Sequence, residues 1–479
     1  MSGATVLAVD LGAESGRVIA VAFDGASLQL EELHRFPNVP VRVRGTLHWD
    51  MLRLWHEIEK GLETGLARRP LSLGVDTWGV DFALLDAQGA LLGNPVHYRD
   101  GRTAGMMEAV FRRVPRAELF AQTGIQFIPI NTLYQMMSLV EQRSSQLDVA
   151  ATFLMVPDLL NYWLTGARVC EFTNATTTQM LDPRSGAWVT NLLERLDIPT
   201  HIFPQVVQPG TRLGEYEGVA VIAPACHDTG SAVAAVPADA APYAYISSGT
   251  WSLVGLEVNE PVMSDAALAA NLTNEGGVNG TFRLLKNVMG LWILQQCRQA
   301  WAAGGKTYSY AELVDLAREA RPLRSLVPVD DERFLPSGDH PRLVRAICEQ
   351  SGQPMPRTPG AVVRTVLESL ALAYRHVLEQ LQSVAGFHVE VIHVVGGGSQ
   401  NELLNQMTAG ATGCPVLAGP VEATVLGNAL VQLIAAGELQ DLRQARELVA
   451  SAADLQRYDP RDGPQWDAAY ARYRELAAS

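Results

Sequence analysis

The sequence predicts an α/β protein with two domains. Its 479 residues are more than one hydrophobic core comfortably serves, and 48% of them are hydrophobic against 18% charged, which is a globular composition. Several apolar runs of strand character are followed by glycine and then by helical periodicity. A hairpin pattern at the start of the chain also recurs about midway along it. Together these features favour two halves of similar architecture.

Strands are predicted where β-branched and apolar residues run up to a glycine-containing turn. These segments are VLAVDLG from Val6, LSLGVDTWGVDFALLD from Leu71, EGVAVIAPACHDTGSA from Glu217, YAYISSGTWSLVGLE from Tyr243 and VEVIHVVGGGSQN from Val389. Apolar residues that recur every three or four positions predict helices over residues 51–66, 361–384 and 423–436. The simplest role for these helices is to cover the sheets.

The stretch AAVPADAAP, residues 234–242, is the best candidate for a domain boundary, because prolines and alanines replace periodic structure there. We therefore predict domains over residues 1–236 and 237–450, followed by a helical segment over 451–479. The pattern restarts after the boundary. Residues 6–21 and 243–256 both read as strand, polar turn and strand, which suggests a duplicated architecture.

Charge and cysteine content restrict the functional class. A net charge of −14 argues against nucleic acid or an anionic membrane as a partner, since both need a surplus of lysine and arginine. The five cysteines, Cys170, Cys226, Cys297, Cys348 and Cys414, contain no CxxC pair and favour a reducing compartment. No basic leader or apolar run of membrane-spanning length is present, so we expect a cytoplasmic protein.

The sequence does not match the familiar motifs of nucleotide-binding proteins and hydrolases. Gly305, Lys306 and Thr307 imitate a P-loop, but Ala300 stands where its first glycine belongs and a helical stretch precedes it. GxGxxG, GxSxG and HExxH do not occur. Dinucleotide-binding, serine-hydrolase and metalloprotease functions therefore lose their main support.

The opening hairpin has two interpretations. Aspartate and glycine between strands are ordinary turn residues, so the turn could be purely structural. Alternatively, Gly12 and Gly16 let backbone N–H groups approach an anion, and Asp10 could hold a hydrated magnesium ion. Arg17 could neutralise phosphate or lie in solvent. The second hairpin offers Ser248, Gly249 and Thr250 as comparable donors.

Two further turns carry carboxylates. His227 and Asp228 follow an apolar strand and precede a small-residue helix, so Asp228 is either a helix N-cap or a general base that accepts a hydroxyl proton. The turn GVDTWGVDF contains Asp76, Trp78 and Asp81 and is either an ordinary hairpin or part of a site for a polyhydroxylated ligand.

Seven segments, read in order, resemble the FGGY family of carbohydrate kinases. They are AVDLGAESGR, GVDTWGVDF, YRDGR, HDTGSA, SSGTWSL, LLKNVMGLWILQQ and VVGGGSQN, and with the glycine of the last predicted helix they run from Asp10 to Gly427. The DTWGVDF and HDT variants point to the branch that acts on L-rhamnulose. The resemblance implies two ribonuclease-H-like domains of the actin and hexokinase type, with ATP and sugar in the cleft between them.

The resemblance also assigns roles to individual residues. It implies that the ATP phosphates and nucleotide contact Ala13, Glu14, Ser15, Gly16, Arg17, Thr250, Gln295 and Gly397. It implies that the sugar contacts Gly79, His227, Asp228, Thr229 and Asn287, that Asp228 is the catalytic base, and that Asp10 binds Mg²⁺ through water. Glu14 departs from the small residue expected in a phosphate-binding turn, so its carboxylate should point away from phosphate or toward the metal.

The implied reaction is transfer of the γ-phosphoryl group of ATP to the 1-hydroxyl of L-rhamnulose. Another ketose, such as L-fuculose or xylulose, remains an alternative substrate, since a pocket that reads a methyl group discriminates by only about 1 to 3 kcal/mol. An actin-like ATPase switch without sugar kinase activity is an alternative of another class.

Overall fold

The computed structural model of the chain describes residues 3–238 and 242–478. The chain forms two compact units whose segments alternate along the sequence. Unit 1 consists of Met1–Asp239, Glu257–Leu284 and Ala423–Ala452, and unit 2 of Ala240–Leu256, Leu285–Glu422 and Ala453–Ser479. Part of the predicted boundary, residues 239–241, lies outside the described residues. The predicted domain limits stay predictions.

Strands and helices alternate in both halves of the chain, which confirms the α/β prediction. The strands of the first half are β1 Ala4–Leu11, β2 Ser15–Phe23, β3 Leu28–Pro37, β4 Val41–Val43, β5 Thr46–His48, β6 Ser72–Thr77, β7 Phe82–Leu85, β8 Thr152–Met155, β9 Cys170–Glu171, β10 Leu181–Asp182, β11 Ala187–Trp188, β12 Val206–Val207, β13 Arg212–Tyr216 and β14 Val219–Ile222. Those of the second half are β15 Tyr243–Ser248, β16 Ser252–Val258, β17 Thr273–Gly276, β18 Phe282–Val288, β19 Val391–Val395, β20 Val416–Ala418 and β21 Gln456–Tyr458.

The helices match the periodicity of the sequence closely. They are α1 Met51–Leu66, α2 Met106–Phe111, α3 Arg116–Thr123, α4 Thr132–Glu141, α5 Ser145–Val149, α6 Val156–Thr165, α7 Phe172–Ala175, α8 Thr190–Arg195, α9 Asp228–Ala234, α10 Asp265–Ala269, α11 Trp292–Ala303, α12 Tyr310–Glu319, α13 His340–Gln350, α14 Pro359–Ala385, α15 Glu402–Thr412, α16 Ala423–Ala435, α17 Leu442–Ala452 and α18 Gly463–Ala478. The predicted α1 is confirmed at both ends, and α14 and α16 are confirmed to within two residues.

The main sheet of unit 1 has the strand order β13-β14-β6-β1-β2-β3. Strands β1, β2 and β3 are antiparallel neighbours, whereas β6 runs parallel to β1 and to β14. The carboxyl ends of β1, β6 and β14 therefore meet at one edge. Asp10 pairs in register with Asp76, and Thr77 bridges to His227 beyond the end of β14. This edge collects the polar turns that the sequence singled out.

Helices cover this sheet through close backbone contacts. Asp50 caps α1 by accepting a hydrogen bond from the Arg53 backbone N–H, and Leu54, Ile58 and Leu62 form its buried face. Burying each such side chain contributes about 1.5 to 3 kcal/mol. Helix α16, from late in the chain, packs on β1, β6 and α9. A Cβ atom at Gly427 would lie 1.7 Å from the Ser231 carbonyl oxygen, so glycine is required at this crossing.

The paired strands of unit 2 run in the order β16-β15-β19-β20-β21. Strand β15 is antiparallel to β16 and parallel to β19, and β19 is parallel to β20. The second hairpin predicted from the sequence is thereby confirmed. Across the described ranges, no helix combines the length and the apolar character needed to cross a membrane.

Candidate functional site

Three aspartates lie at the edge of the unit 1 sheet where the parallel strands end. Asp10 is the penultimate residue of β1, Asp76 the penultimate residue of β6, and Asp228 opens α9 just after β14. Burial, and next the neighbouring charge of Asp10, raise the pKa of Asp76 well above its usual range, and Asp228 adds to the effect. The edge is therefore a cluster of carboxyl groups with restricted access to solvent, where ionisation of all three together is disfavoured.

Arg17 supplies the cation that faces Asp10. Its Nη2 and Nε atoms donate to Oδ2 of Asp10 at 2.7 and 3.1 Å, across the β1–β2 hairpin. The pairing follows from the register, in which these two residues lie directly opposite each other. Arg17, which was expected to neutralise phosphate, is thus paired with Asp10, which was expected to bind the metal ion.

The turn between β1 and β2 is shaped by backbone hydrogen bonds. The Gly12 N–H donates to the Ser15 carbonyl at 2.9 Å, and the Asn38 N–H donates to the Glu14 carbonyl at 2.9 Å. The Glu14 side chain is exposed, whereas Ala13 and Ser15 are half-buried. Gly16 is required for packing, since a Cβ there would lie 2.4 Å from the Phe36 ring. The turn keeps Glu14 at the surface.

Asp76 is held by a helix more than 300 residues away in sequence. Asn428 of α16 donates from Nδ2 to Oδ2 of Asp76 at 2.5 Å, and Gln432 donates to Oδ1 of Asn428 at 2.6 Å. Oδ1 of Asp76 is buried with no hydrogen-bond partner among the described residues. The partnerless oxygen leaves one position on the Asp76 carboxyl open to a group other than protein.

His227, not Asp228, occupies the N-cap position of α9, so the N-cap alternative for Asp228 is wrong. Oδ1 of Asp228 accepts hydrogen bonds from the Thr229 N–H at 2.5 Å and the Thr229 hydroxyl at 3.2 Å, and Nε2 of His227 lies 3.5 Å away. In the described part of the chain these contacts all fall on Oδ1. The side chain remains 28% exposed. Desolvation raises its pKa, and His227 partly offsets the rise.

A buried ion pair supports the other side of the His227 ring. Nδ1 of His227 lies 3.1 Å from Nη2 of Arg283 and 3.2 Å from Oε2 of Glu275. Arg283 Nη2 and Glu275 Oε2 are themselves 3.2 Å apart, and the Arg283 side chain is fully buried. Nε of Arg283 donates to the Gly276 carbonyl at 2.8 Å, which anchors the guanidinium. The Glu275–Arg283 ion pair therefore holds the His227 ring at its Nδ1 side.

The main chain before Asp228 is held by Glu171. Its carboxylate accepts from the Cys226 N–H at 3.0 Å and from the Thr173 hydroxyl at 2.6 Å, while Thr173 in turn accepts from the His227 N–H at 3.1 Å. Burial raises the pKa of Glu171 to about 7 despite these bonds. The segment that carries His227 and Asp228 is thus held in one conformation.

The turn GVDTWGVDF is not a hairpin, because β6 pairs with β1 and β14 while β7 pairs with β8. The ordinary-hairpin alternative is therefore wrong. Val80 has φ of +66°, which is rare for a β-branched residue, and Thr177 and Thr132 hold its N–H and carbonyl. Such strain typically accompanies functional sites. A Cβ at neighbouring Gly79 would lie 3.3 Å from Nε2 of His227.

Asp81, Trp49 and Trp78 are buried, so they support the neighbouring turn and do not form a ligand-binding surface. Asp81 is fully buried and accepts hydrogen bonds from the Trp49 and Trp78 indoles and from Gln135. Burial raises the pKa of Asp81 to about 6. The two indole rings lie 4.1 Å apart, and Trp78 is only 5% exposed. These residues stabilise the Gly79–Val80 turn from behind.

Unit 2 brings together the three residues that the resemblance assigned to the nucleotide there. Nε2 of Gln295 donates to the Thr250 hydroxyl at 3.4 Å. A Cβ at Gly398 would lie 2.0 Å from the Ser248 hydroxyl, so the turn around exposed Gly397 packs on the end of β15, just before Thr250. Asn287 also belongs to unit 2, where it is half-buried.

The unit 1 edge fits a magnesium–phosphate group. Mg²⁺ usually retains several waters and binds one or two carboxylates together with substrate phosphates. Asp10 and the partnerless oxygen of Asp76 are carboxylate oxygens at one edge, and Arg17 is the cation at the adjacent turn. The donor set is thus suited to a hydrated divalent cation with an anionic ligand.

Four supporting residues were missed from the sequence: Glu171, Glu275, Arg283 and Asn428. Arg283 carried a signal, because it is a cation flanked by apolar residues in the strand FRLLKNV, which also contains Lys286. Asn428 and Gln432 carried another, as polar residues four apart on the apolar helix α16. Their partners could not be identified without the tertiary structure.

Comparisons with known proteins agree with this architecture. Residues 5–222 match the N-terminal domain, and residues 244–436 the C-terminal domain, of the FGGY family of carbohydrate kinases. A rhamnulokinase of Bacteroides thetaiotaomicron is 44% identical over 98% of both chains, and one of Oceanobacillus iheyensis is 41% identical over 94% of this chain and 97% of its own.

Solved structures share the fold at low sequence identity. A Plasmodium falciparum glycerol kinase with ADP matches with a TM-score of 0.78 and 14% identity, over 100% of this chain and 99% of its own. A gluconate kinase of Lactobacillus acidophilus gives 0.77 and 15%, over 100% and 97%. The two-domain α/β fold expected from the sequence is confirmed, and the chain belongs to the FGGY family of carbohydrate kinases.

Proposed function

We propose that the chain transfers the γ-phosphoryl group of ATP to the 1-hydroxyl of L-rhamnulose, with Asp228 as the general base. The observation that carries the proposal is the carboxyl of Asp228, anchored through Oδ1 and partly exposed, at the strand edge that also holds Asp10 and Asp76. The substrate follows from the similarity to rhamnulokinases over nearly the whole chain.

Asp228 accepts the proton of the sugar hydroxyl as that oxygen attacks phosphorus. Since the contacts of its carboxylate fall on Oδ1, the proton goes to Oδ2. General-base action of this kind contributes about 10²- to 10⁴-fold in rate. His227 and Thr229 contact the same carboxyl and Gly79 lies beside the His227 ring, so these residues are the proposed sugar contacts of unit 1. Asn287 is the proposed sugar contact of unit 2.

The remaining acceleration comes from positioning and charge neutralisation, which dominate phosphoryl transfer. Mg²⁺-ATP, when bound, supplies the phosphoryl group and neutralises charge that develops on it. Asp10 would hold the hydrated ion, and the turn from Ala13 to Arg17 would contact phosphate with backbone N–H groups. Thr250, Gln295 and Gly397 are the proposed nucleotide contacts of unit 2. The side chain of Glu14 is exposed, so its backbone is the part that we propose to contact phosphate.

The proposed location is the cytoplasm, because the five cysteines are free thiols and a reducing compartment keeps them so. Partners are ATP and a small ketose, and neither nucleic acid nor membrane is proposed.

The test is ADP release from ATP in the presence of single sugars, namely L-rhamnulose, L-fuculose, D-xylulose and glycerol. We expect the highest kcat/KM with L-rhamnulose, and a 1-phosphate as the product by NMR. A higher kcat/KM with L-fuculose or D-xylulose would make that sugar the substrate. ATP hydrolysis that no sugar stimulates would instead favour an ATPase switch.

A further inference from the structure

The buried pair Glu275–Arg283, in β17 and β18, contacts the His227 ring at Nδ1. Nε2, on the other side of the ring, lies 3.5 Å from Oδ1 of Asp228. A buried ion pair is weak evidence for stability, because desolvation offsets much of the attraction between the charges. The contact with His227 offers a functional reason for the pair, and it rests on the proposed function of Asp228.

The contact defines which imidazole nitrogen carries the proton. An arginine side chain only donates hydrogen bonds, so the Nη2 contact at 3.1 Å favours a lone pair on Nδ1 of His227. Oε2 of Glu275, 3.2 Å from the same nitrogen, would instead accept a proton from it, but of the two contacts the shorter one, to arginine, is the hydrogen bond. The tautomer of a histidine is set by the hydrogen bond at its other nitrogen. The proton then lies on Nε2, which faces Oδ1 of Asp228 at 3.5 Å. Glu275 balances the buried charge of Arg283.

The other charged groups around Asp228 cannot provide this orientation. Asp10 and Asp76 are carboxylates that repel it, and Arg17 is paired with Asp10. Glu171 is directed to the backbone N–H of Cys226. Nε2 of His227, 3.5 Å from Oδ1, is thus the side-chain nitrogen that faces this oxygen, while the Thr229 N–H and hydroxyl hold it by hydrogen bonds.

We propose that Glu275 and Arg283 are positioning residues for phosphoryl transfer. They hold His227 as the Nε2–H tautomer, which fixes Oδ1 of Asp228 and leaves Oδ2 directed at the sugar hydroxyl. A misplacement of about 1 Å in a reacting group costs on the order of 10²-fold in rate. Loss of the pair should therefore lower kcat about 10- to 100-fold while leaving the KM for ATP within about twofold.

The test uses the double variant Glu275→Gln, Arg283→Met, which leaves no unpaired buried charge. The matched control is Glu368→Gln, Arg364→Met, which removes the largely buried ion pair within helix α14 of unit 2, whose other hydrogen-bond partners are the main-chain groups of Leu323, Ala317 and Arg318. Circular dichroism confirms folding of both. Histidine-labelled protein then reports the His227 tautomer by ¹⁵N and ¹³C NMR, with the signal assigned from His227→Asn. Kinetics with the sugar used best by the wild type report kcat and KM.

We expect the Nε2–H tautomer in the wild type and the control, a changed tautomer in the test variant, and a fall in kcat in the test variant alone. A wild-type His227 protonated on Nδ1 overturns the inference whichever sugar is phosphorylated. A folded test variant with the kcat of the control overturns it as well. A wild type that phosphorylates none of the sugars, yet shows the Nε2–H tautomer, overturns the proposed function and not the positioning of His227.

Discussion

Replacing Gly427 with alanine should disrupt the crossing of α16 and α9. The added Cβ would lie 1.7 Å from the Ser231 carbonyl oxygen and 2.5 Å from its carbonyl carbon, whereas real Cβ atoms do not approach other atoms more closely than 3.0 Å. The obstructing atoms are main chain, so no side-chain rotation relieves the contact. The two helices must therefore separate by roughly 1 Å or more.

In Gly427→Ala, a gain in helix propensity opposes the cost of overpacking, and the difference between them gives the change in the free energy of unfolding. Alanine is favoured over glycine inside a helix by about 1 kcal/mol. Overpacking of this kind costs about 1 to 3 kcal/mol, and the backbone contact places Gly427→Ala at or beyond the upper end of that range. We expect the free energy of unfolding to fall by about 2 kcal/mol. Since α9 begins with Asp228, the same shift should lower kcat on the order of 10²-fold.

Urea unfolding and steady-state kinetics test both effects. The matched control is Gly463→Ala at the start of α18, where an added Cβ meets no atom within 4 Å. That variant should unfold at the wild-type urea concentration or slightly above it. If Gly427→Ala were as stable as the control and equally active, the crossing would not constrain Asp228 and the reasoning would fail.

Three further predictions concern the chemistry of the site. Asp228→Asn should lower kcat about 10²- to 10⁴-fold while calorimetry shows sugar binding within a few-fold of wild type; near-normal turnover would contradict its role as base. Because the folded-state pKa of Glu171 is raised from 4.5 to about 7, the folded state binds the extra proton, so stability should fall as pH rises from about 4.5 to 7, by about 3 kcal/mol. The unfolding free energy of Glu171→Gln, measured with urea, should not show this fall between pH 4.5 and 7. An equal fall in the variant and the wild type would refute the prediction. Removal of divalent ions with EDTA should abolish ADP release until Mg²⁺ is restored, and activity that persists in EDTA would exclude the metal proposed at Asp10.

Much of the fold follows from local sequence pattern. Helix α1 begins after a capping aspartate and has a regular apolar stripe, so periodicity and capping agree on its limits. Both hairpins end at polar turns with glycine, which local chemistry also determines. The segment after β6 was harder to interpret from the sequence. Trp78 and Asp81 lie in what reads as a polar turn, but they are buried by partners such as Trp49 and Gln135.

The assignment of chain segments to units depended on distant contacts. Residues 257–284 and 423–452 pack within unit 1, and no composition change marks either segment. The same limit applies to the site. The sequence could place Asp10 and Asp228 at strand ends, but the support of Asp76 by Asn428 and of His227 by Arg283 exists only after the chain has folded.

The late position of α16 has a consequence for synthesis. Asn428 and Asp76 are 352 residues apart, and at about 5 to 20 residues per second the ribosome needs about 20 to 70 s to make the intervening chain. During that time the face of β1 and β6 that α16 covers has no helix on it. The first strands to emerge are therefore left without the helix that covers them until most of the chain has been made.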